Sequence, residues 1–456
     1  MSTQTSNTAV RAISAVPTFF DRIIRRYLPD AFLFAVVLTL LVYVLGFSFT
    51  SHTPYELVQF WGDGFWDLLE FGMQMTLIVV TGYILASTPP VRALLRKLAS
   101  TAKTPGRAII LETVISILAC LINYGFGLVV AALLARAIIR NVPRVNYRLL
   151  VASGYTGFLV WHGGFSGSVP LSIATPDHPL EDTMGIVPVT ETLFSPYNIF
   201  IVLVLLVTLP VMNRMLLSAI QVQGNDETVE LDDDADSEPD AEAVPDKASR
   251  TPSERVENSM VLSMLVGALG LAYIVYFFAS NGFDLNINIV NFIVLFAGII
   301  LHGTPRQFLN TVTAGVKNAG GIIIQFPLYA GIMGMMVSSG LSEQLANWFV
   351  QISNDVTLPF FTFISAGVLN MFIPSGGGQW AVQGPIMIPA AAALDVSTAK
   401  TAMAVAWGDA WTNMIQPFWA LPLLAIAKLK IRDIMGFCVM ALFLSFVVIS
   451  IGLLVF

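Results

Sequence analysis

Two ionisable residues, His162 and Asp409, stand inside apolar runs. Ionisable groups at membrane depth are costly and usually functional, and either of these could carry a proton. Each lies in a polar, glycine-rich interruption: Trp161-His162-Gly163-Gly164-Phe165-Ser166-Gly167-Ser168 in the first half, and Trp407-Gly408-Asp409-Ala410-Trp411-Thr412-Asn413 in the second. Two more apolar stretches break at Asn123-Tyr124-Gly125-Phe126-Gly127 and at Pro374-Ser375-Gly376-Gly377-Gly378-Gln379. No Lys or Arg falls in the central part of any apolar run. An anion bound there must be held by free backbone N–H groups and the positive end of a helix dipole. Gly376, Gly377 and Gly378 would let a solute approach the backbone as no larger residue can, and Gly125, Gly127, Gly163 and Gly164 are candidates of the same kind. Ser375, Asn370, Asn123, Ser166, Ser168, Gln379, Thr412 and Asn413 add short polar groups without fixed charge. Phe158, Trp161, Phe165, Trp380, Trp411 and Trp419 crowd the same segments, and a wall of such rings beside a dipole-based anion site suits a monocarboxylate with a short alkyl tail.

The elements that must position these groups are helices in lipid. Of the 456 residues, 55% are apolar and only 12% charged, with mean hydropathy +0.74; soluble chains carry about 25% charged residues, so a soluble enzyme is excluded. The formal charge of −7 arises in residues 224–257, which hold 13 acidic residues against Lys247, Arg250 and Arg255. No bias toward a nucleic-acid partner remains. Cys120 and Cys438 lie in apolar runs and read as packing residues. A polar N-terminal segment, 1–30, leads into an apolar run too long for a signal-peptide core, which reads as an uncleaved first span.

Spans are expected at 31–50, 71–87, 149–174, 197–213, 260–280, 287–303, 319–338, 401–427 and 434–454. Lys and Arg accumulate on the cytoplasmic side of a membrane. Here they gather in residues 1–30, 88–107, 136–148, the region from Arg214, and around Arg306 and Lys428, whereas 51–70 and 175–196 contain none. With 88–107 and 136–148 on one side, the stretch 108–139 must enter and leave by the same face, because two crossings need about 40 residues. A re-entrant hairpin follows, and 358–394 reads as a second one from the opposite face. Glu112, on the first arm of the first hairpin, is expected to pair with an Arg near the cytoplasmic face, and His302 to lie at an interface.

Asn123 and Asn370, Pro170 and Pro417, and His162 and Asp409 are each separated by 247 residues, Trp161 and Trp407 by 246, and Gln74 and Gln325 by 251. The fold class expected is therefore an all-α polytopic membrane protein. It has two inverted-topology repeats, 31–221 and 259–456, each with a re-entrant hairpin and an interrupted transmembrane helix, joined by an acidic disordered cytoplasmic linker, 222–258. The span at 260–280 supplies the inversion, leaving the N-terminus inside and the C-terminus outside. Broken segments at matching places in inverted halves point to a transporter's midplane site.

The run Gly157 to Ser168, the Asn123–Gly127 tip, Pro374 to Trp380 and Arg25-Arg26-Tyr27-Leu28-Pro29-Asp30 resemble the short-chain fatty acid transporter family, over nearly the whole chain. The resemblance implies membership of the ion transporter superfamily, ion-coupled symport of butyrate, acetoacetate and similar monocarboxylates by alternating access, an elevator motion, and a homodimer in the cytoplasmic membrane. No cofactor is expected beyond a coupling ion, H+ or Na+. The acidic linker departs from the family pattern. A dicarboxylate or citrate carrier is the alternative within the class. A rhomboid-like serine protease is the alternative outside it, resting on Gly164-Phe165-Ser166-Gly167 with His162 or His302 as base.

Overall fold

The computed structural model describes residues 31–221 and 250–456, apart from 318, 372 and 417. Residues 1–30, most of the acidic linker and Pro417 thus lie outside the described residues. The first half contains α1 (Ala31–Phe49), α2 (Pro54–Asp63), α3 (Leu69–Ala86), α4 (Pro89–Thr101), α5 (Pro105–Ile122), α6 (Tyr124–Asn141) and α7 (Tyr147–Thr156). A 3-10 stretch, Gly157–Gly163, then precedes α8 (Ser168–Ile173), α9 (Glu181–Met184) and α10 (Pro196–Gln221). The second half contains α11 (Pro252–Glu257), α12 (Met260–Asn281), α13 (Ile287–His302), α14 (Pro305–Lys317), α15 (Gly320–Ser338) and α16 (Leu341–Ile352), followed by α17 (Leu358–Asn370), α18 (Gly376–Ala393), α19 (Thr398–Thr412), α20 (Ala420–Ala427) and α21 (Ile431–Val455). Among the described residues seven helices are long and apolar enough to cross a bilayer. On α12, Leu265, Leu269, Val275 and Tyr276 are more than half exposed, as expected of a face against lipid.

The helices start where backbone chemistry favours it. Pro occupies the first turn of α2, α4, α5 and α17, where its missing N–H costs nothing. Asn123, Asn146, Ser375 and Ser397 each N-cap a helix with a side-chain oxygen, satisfying one of the free first-turn donors. The starts of α2 to α8 recur in α14 to α20 at offsets of 251, 251, 252, 253, 252, 251 and 252 residues. Two repeats are therefore present, but not in the register of the 246–247-residue pairs. Asn123 corresponds to Ser375, which caps α18 as Asn123 caps α6, rather than to Asn370. The connection from α17 to α18 spans several residues where α5 and α6 are parted by Asn123 alone, so matching identities misjudges the spacing.

Both apolar stretches fold as helical hairpins, α5–α6 and α17–α18. The first extends over 105–141, a little beyond 108–139. Its tip lies at mid-height: Asn123 Nδ2 donates to the carbonyl of Ile78 at 3.3 Å, the tenth residue of the 18 in α3. At the second tip, Gly378 abuts the ring of Tyr329, the tenth residue of the 19 in α15, and Gly377 abuts Phe71 and Met75 of α3.

Three expectations are corrected. The linker does not stay irregular to residue 258: Thr251 and Glu254 form a capping box that starts α11, and Glu257 is paired with Arg306 at 2.8 Å. His302 is buried, its Nε2 3.0 Å from the carbonyl of Ile84. Glu112 is fully buried and has no Arg partner among the described residues. The amphipathic helices α2, α4, α14 and α16 were not anticipated; a search for long apolar runs passes over them.

Candidate functional site

Asn123 ends α5 in extended conformation and starts α6, its Oδ1 accepting from Phe126 N–H at 2.9 Å. Tyr124 N–H, another first-turn donor, is taken by Ser166 Oγ at 2.8 Å. The first tip is thereby joined to the interrupted segment of its own half, and Phe165 N–H donates to the Leu121 carbonyl at 2.7 Å across the same joint. Gly164 sits against the Leu121 backbone, Gly125 against Val79 and Gly127 against Cys120. These three glycines serve close approach between helices, as small residues do in membrane proteins.

In the second hairpin the helix begins one residue before the middle of the glycine run. Ser375 caps it by accepting from Gly378 N–H at 3.3 Å, so Gly376, Gly377 and Gly378 form the first turn of α18 rather than a loop. Gln379 Nε2 donates to the Ala366 carbonyl at 2.9 Å and to Gln383 Oε1 at 3.0 Å, which ties the two arms of the hairpin together.

Asp409 lies in the last turn of a regular helix, α19; the interruption follows it, at residues 413–419, instead of containing it. Asn413 Nδ2 donates to Asp409 Oδ2 at 3.0 Å. Asn370 Nδ2 donates to the Asp409 carbonyl at 3.0 Å and to Thr412 Oγ1 at 2.9 Å, and Thr412 Oγ1 donates to the Gly367 carbonyl at 2.9 Å. His162 Nε2 stands 3.3 Å from Asp409 Oδ2, with both side chains wholly buried.

The second tip closes on this pair. A Cβ built on Gly376 would stand 2.5 Å from His162 Cε1 and 2.7 Å from Ser168 Oγ. Ser168 Oγ is buried without a hydrogen-bond partner, as are Asp409 Oδ1 and His162 Nδ1. Buried polar atoms are normally bonded, so the cluster has capacity for a polar solute. On its other side the Trp161 ring lies 3.6 Å from that of His162 and 4.7 Å from that of Tyr124. Gly376 of α18 thus meets His162 directly, while Tyr124 at the start of α6 reaches it through Trp161, which links Asn123, Tyr124, His162, Ser166, Ser168, Gly376 and Asp409 in one set of contacts.

Of the aromatic residues, Phe158, Trp161 and Trp419 surround Tyr124. Trp411 instead packs with Phe363 and Phe446, and Phe165 meets Phe194 at a half-exposed position. Gly163 lies against Asn198 and Trp407, and Gly378, Gln379 and Thr412 support the hairpin and helix rather than the centre. Two contributors escaped the sequence reading. Asn198 donates to the Gly163 carbonyl at 3.2 Å and accepts from Trp407 Nε1 at 3.2 Å; Tyr155 Oη donates to the Asn413 carbonyl at 2.8 Å. Asn198 was detectable as an amide at the start of an apolar span. Ser166 is engaged by Tyr124 N–H and makes no hydrogen bond to a histidine, so the nucleophile–base pair of a serine protease is not assembled.

Comparison with known proteins shows the family and the fold. The family model for short chain fatty acid transporters matches residues 12–456. The chain is 47% identical over 444 residues to a candidate short-chain fatty acid transporter of Escherichia coli strain K12, covering 97% of this chain and all of that one. It is 44% identical over 449 residues to a similarly named protein of Haemophilus influenzae, covering 97% and 99%. In fold it resembles the crystal structure of the Alcanivorax borkumensis YdaH transporter, with TM-score 0.59 at 16% identity over 94% of this chain and 97% of that one. This all-α, multi-pass membrane chain belongs to the short-chain fatty acid transporter family, a family of transporters and not of enzymes.

Proposed function

We propose that the protein is a secondary active transporter that moves butyrate, acetoacetate and similar short monocarboxylates across the cytoplasmic membrane by alternating access, driven by an H+ or Na+ gradient. The observation that carries this reading is the closure of the α18 start, at Gly376, on the buried His162–Asp409 pair, to which the α6 start at Tyr124 is joined through Trp161. Helix N-termini attract carboxylates without a fixed cation, and no Lys or Arg takes part in the described contacts of the cluster. Ser168 Oγ is a ready donor to a bound carboxylate, and the Tyr124, Phe158, Trp161 and Trp419 rings offer apolar surface to a short alkyl tail. In this reading Asp409 and His162 answer to the coupling ion, the N-terminus is cytoplasmic, and the protein works as a homodimer in which the part carrying the hairpins moves as an elevator. Proteoliposomes holding the protein should accumulate labelled butyrate or acetoacetate under an imposed pH or Na+ gradient, and ionophores should abolish the accumulation. Absence of uptake under both gradients refutes the proposal; competition by succinate but not by butyrate redirects it to dicarboxylates.

A further inference from the structure

Glu112 is a second buried acid, away from the His162–Asp409 pair. It lies on α5 eleven residues before Asn123, about 16 Å along the helix from the tip. Its side chain is fully buried. Oε1 accepts from Ser116 Oγ at 3.4 Å, a long bond, and Oε2 is buried with no hydrogen-bond partner. No Lys, Arg or His is paired with it among the described residues.

The surroundings fit the acid closely. A Cβ on Gly154 of α7 would stand 2.5 Å from Glu112 Oε1 and 3.0 Å from Ala131 Cβ of α6, so glycine makes the room the carboxyl occupies. The charged and titratable groups of the elements around α5 all have other engagements. From α6, Arg136 donates to the Ile426 carbonyl at 3.5 Å, and Arg140 lies a turn beyond it. Tyr147 of α7 donates to the Ala427 carbonyl at 3.1 Å and is within electrostatic reach of both Arg136 and Glu112. Arg214 of α10 lies against Gly106, near the start of α5. Tyr155 and His162 belong to the tip end, and Cys120 of α5 itself faces Gly127. Next to Glu112, Thr113 Oγ1 and Thr156 Oγ1 accept from Asn213 Nδ2 at 3.1 and 2.9 Å, and Asn213 Oδ1 lacks a donor.

At the 253-residue offset between α5 and α17, the matching position in the second hairpin is Ser365, whose hydroxyl accepts from Gln383 Nε2 at 2.9 Å. The second hairpin is thus closed by neutral amides and hydroxyls at this level, and only the first carries an acid. An isolated ionised carboxylate in an apolar interior is costly enough that such groups pair, coordinate or take up a proton; pairing is not what this one does.

We propose that Glu112 binds a proton from water on one side of the membrane and releases it on the other in each cycle, in addition to the His162–Asp409 pair, and so makes H+ the coupling ion. The exchange is R–COO⁻ + H+ to R–COOH and back, and it changes the charge of the first hairpin by one. The proposal rests on the transport reading above. In proteoliposomes, with protein-free vesicles as the blank for diffusion of the free acid, Glu112→Gln should retain counterflow of labelled butyrate and lose accumulation driven by a pH gradient, and Glu112→Asp should restore it. Wild-type accumulation by Glu112→Gln would overturn the proposal, since a permanently neutral side chain would then suffice. Should Glu112→Gln fail to fold, the pH profile of uptake by Glu112→Asp decides: a displaced profile supports the proposal and an unmoved one overturns it. Infrared titration of the purified protein needs no transported solute. A carboxylic-acid C=O band that disappears on raising the pH, is missing in Glu112→Gln and is shifted in Glu112→Asp supports proton exchange at Glu112, and a pH-invariant band overturns it. Failure of wild-type protein to move butyrate under any gradient would instead refute the transport reading.

Discussion

Replacing Gly376 by Ala tests the centre most directly. The added methyl carbon would stand 2.5 Å from His162 Cε1 and 2.7 Å from Ser168 Oγ, against the roughly 3.5–4.0 Å of an ordinary carbon contact. Either the first turn of α18 or the imidazole must therefore give by about 1 Å. His162 has little room to retreat, since the tilted Trp161 ring lies 3.6 Å away, centre to centre, and Asp409 Oδ2 lies 3.3 Å from its Nε2. Overpacking of this kind costs about 1–3 kcal/mol; if it acts wholly on the closed arrangement of the tip, substrate affinity falls by about 5- to 150-fold, at 1.4 kcal/mol for each factor of ten. The assay is concentration-dependent uptake of labelled butyrate in proteoliposomes, with thermal unfolding in detergent as a check on folding. Gly62→Ala is the control: nothing lies within 4 Å of a Cβ there, and within helix α2 Ala should stabilise by about 0.5–1 kcal/mol relative to Gly. Unaltered uptake by Gly376→Ala would show that the second tip does not close on His162, and the account of the centre would fail with it.

Other changes probe separate contacts. Asp409→Asn leaves the Asn413 contact possible but removes the ionisable carboxyl 3.3 Å from His162; gradient-driven accumulation should be lost in a folded protein, and persistence of coupled uptake would remove Asp409 from the mechanism. Ser166→Ala strips the acceptor from Tyr124 N–H and should destabilise by about 1–3 kcal/mol, the cost of a buried unsatisfied donor, read as a lower unfolding temperature. His178, in the loop after α8, is held below the usual histidine pKa by burial, partly offset by its 3.1 Å contact with the Gly185 carbonyl and by Glu181. Because the neutral form is favoured in the fold, its contribution is complete above the unfolded value of about 6.5 and is lost as pH falls through the folded value. The protection of amides 174–187 against hydrogen exchange, taken relative to the intrinsic exchange rate at each pH, should fall on acidification in the wild type and not in His178→Gln.

Much of the architecture was legible because lipid imposes simple rules. The Lys and Arg distribution and the breaks at Asn123 and Pro374 marked two hairpins, and those hairpins are present, each with its tip at mid-height of a long helix. The repeat was legible in outline but misregistered, because chance identities such as Asn123 with Asn370 carry no information on which residue caps a helix. Asn123 and Ser375 are different amino acids doing one job. Burial was least legible. Glu112 and His302 read as interfacial because hydropathy averages over a window, and a single acid or imidazole in an apolar run looks the same whether it meets solvent or a neighbouring helix. The glycines drew attention to the candidate centre, but Gly125, Gly127 and Gly164 lie against Val79, Cys120 and the Leu121 backbone, whereas Gly376 touches His162; only contacts across 200 or more residues of sequence distinguish the two placements.

The bonds from Arg136 and Tyr147 to the carbonyls of Ile426 and Ala427 join residues 290 and 280 positions apart. Translation at about 5–20 residues per second makes the earlier partners wait about 15 to 60 s before the later ones exist. During that interval the Tyr147 phenol has been made but its Ala427 acceptor has not. Biogenesis therefore has to shelter the N-terminal half, by the insertion machinery or by leaving its first hairpin outside the hydrocarbon until the last segments emerge.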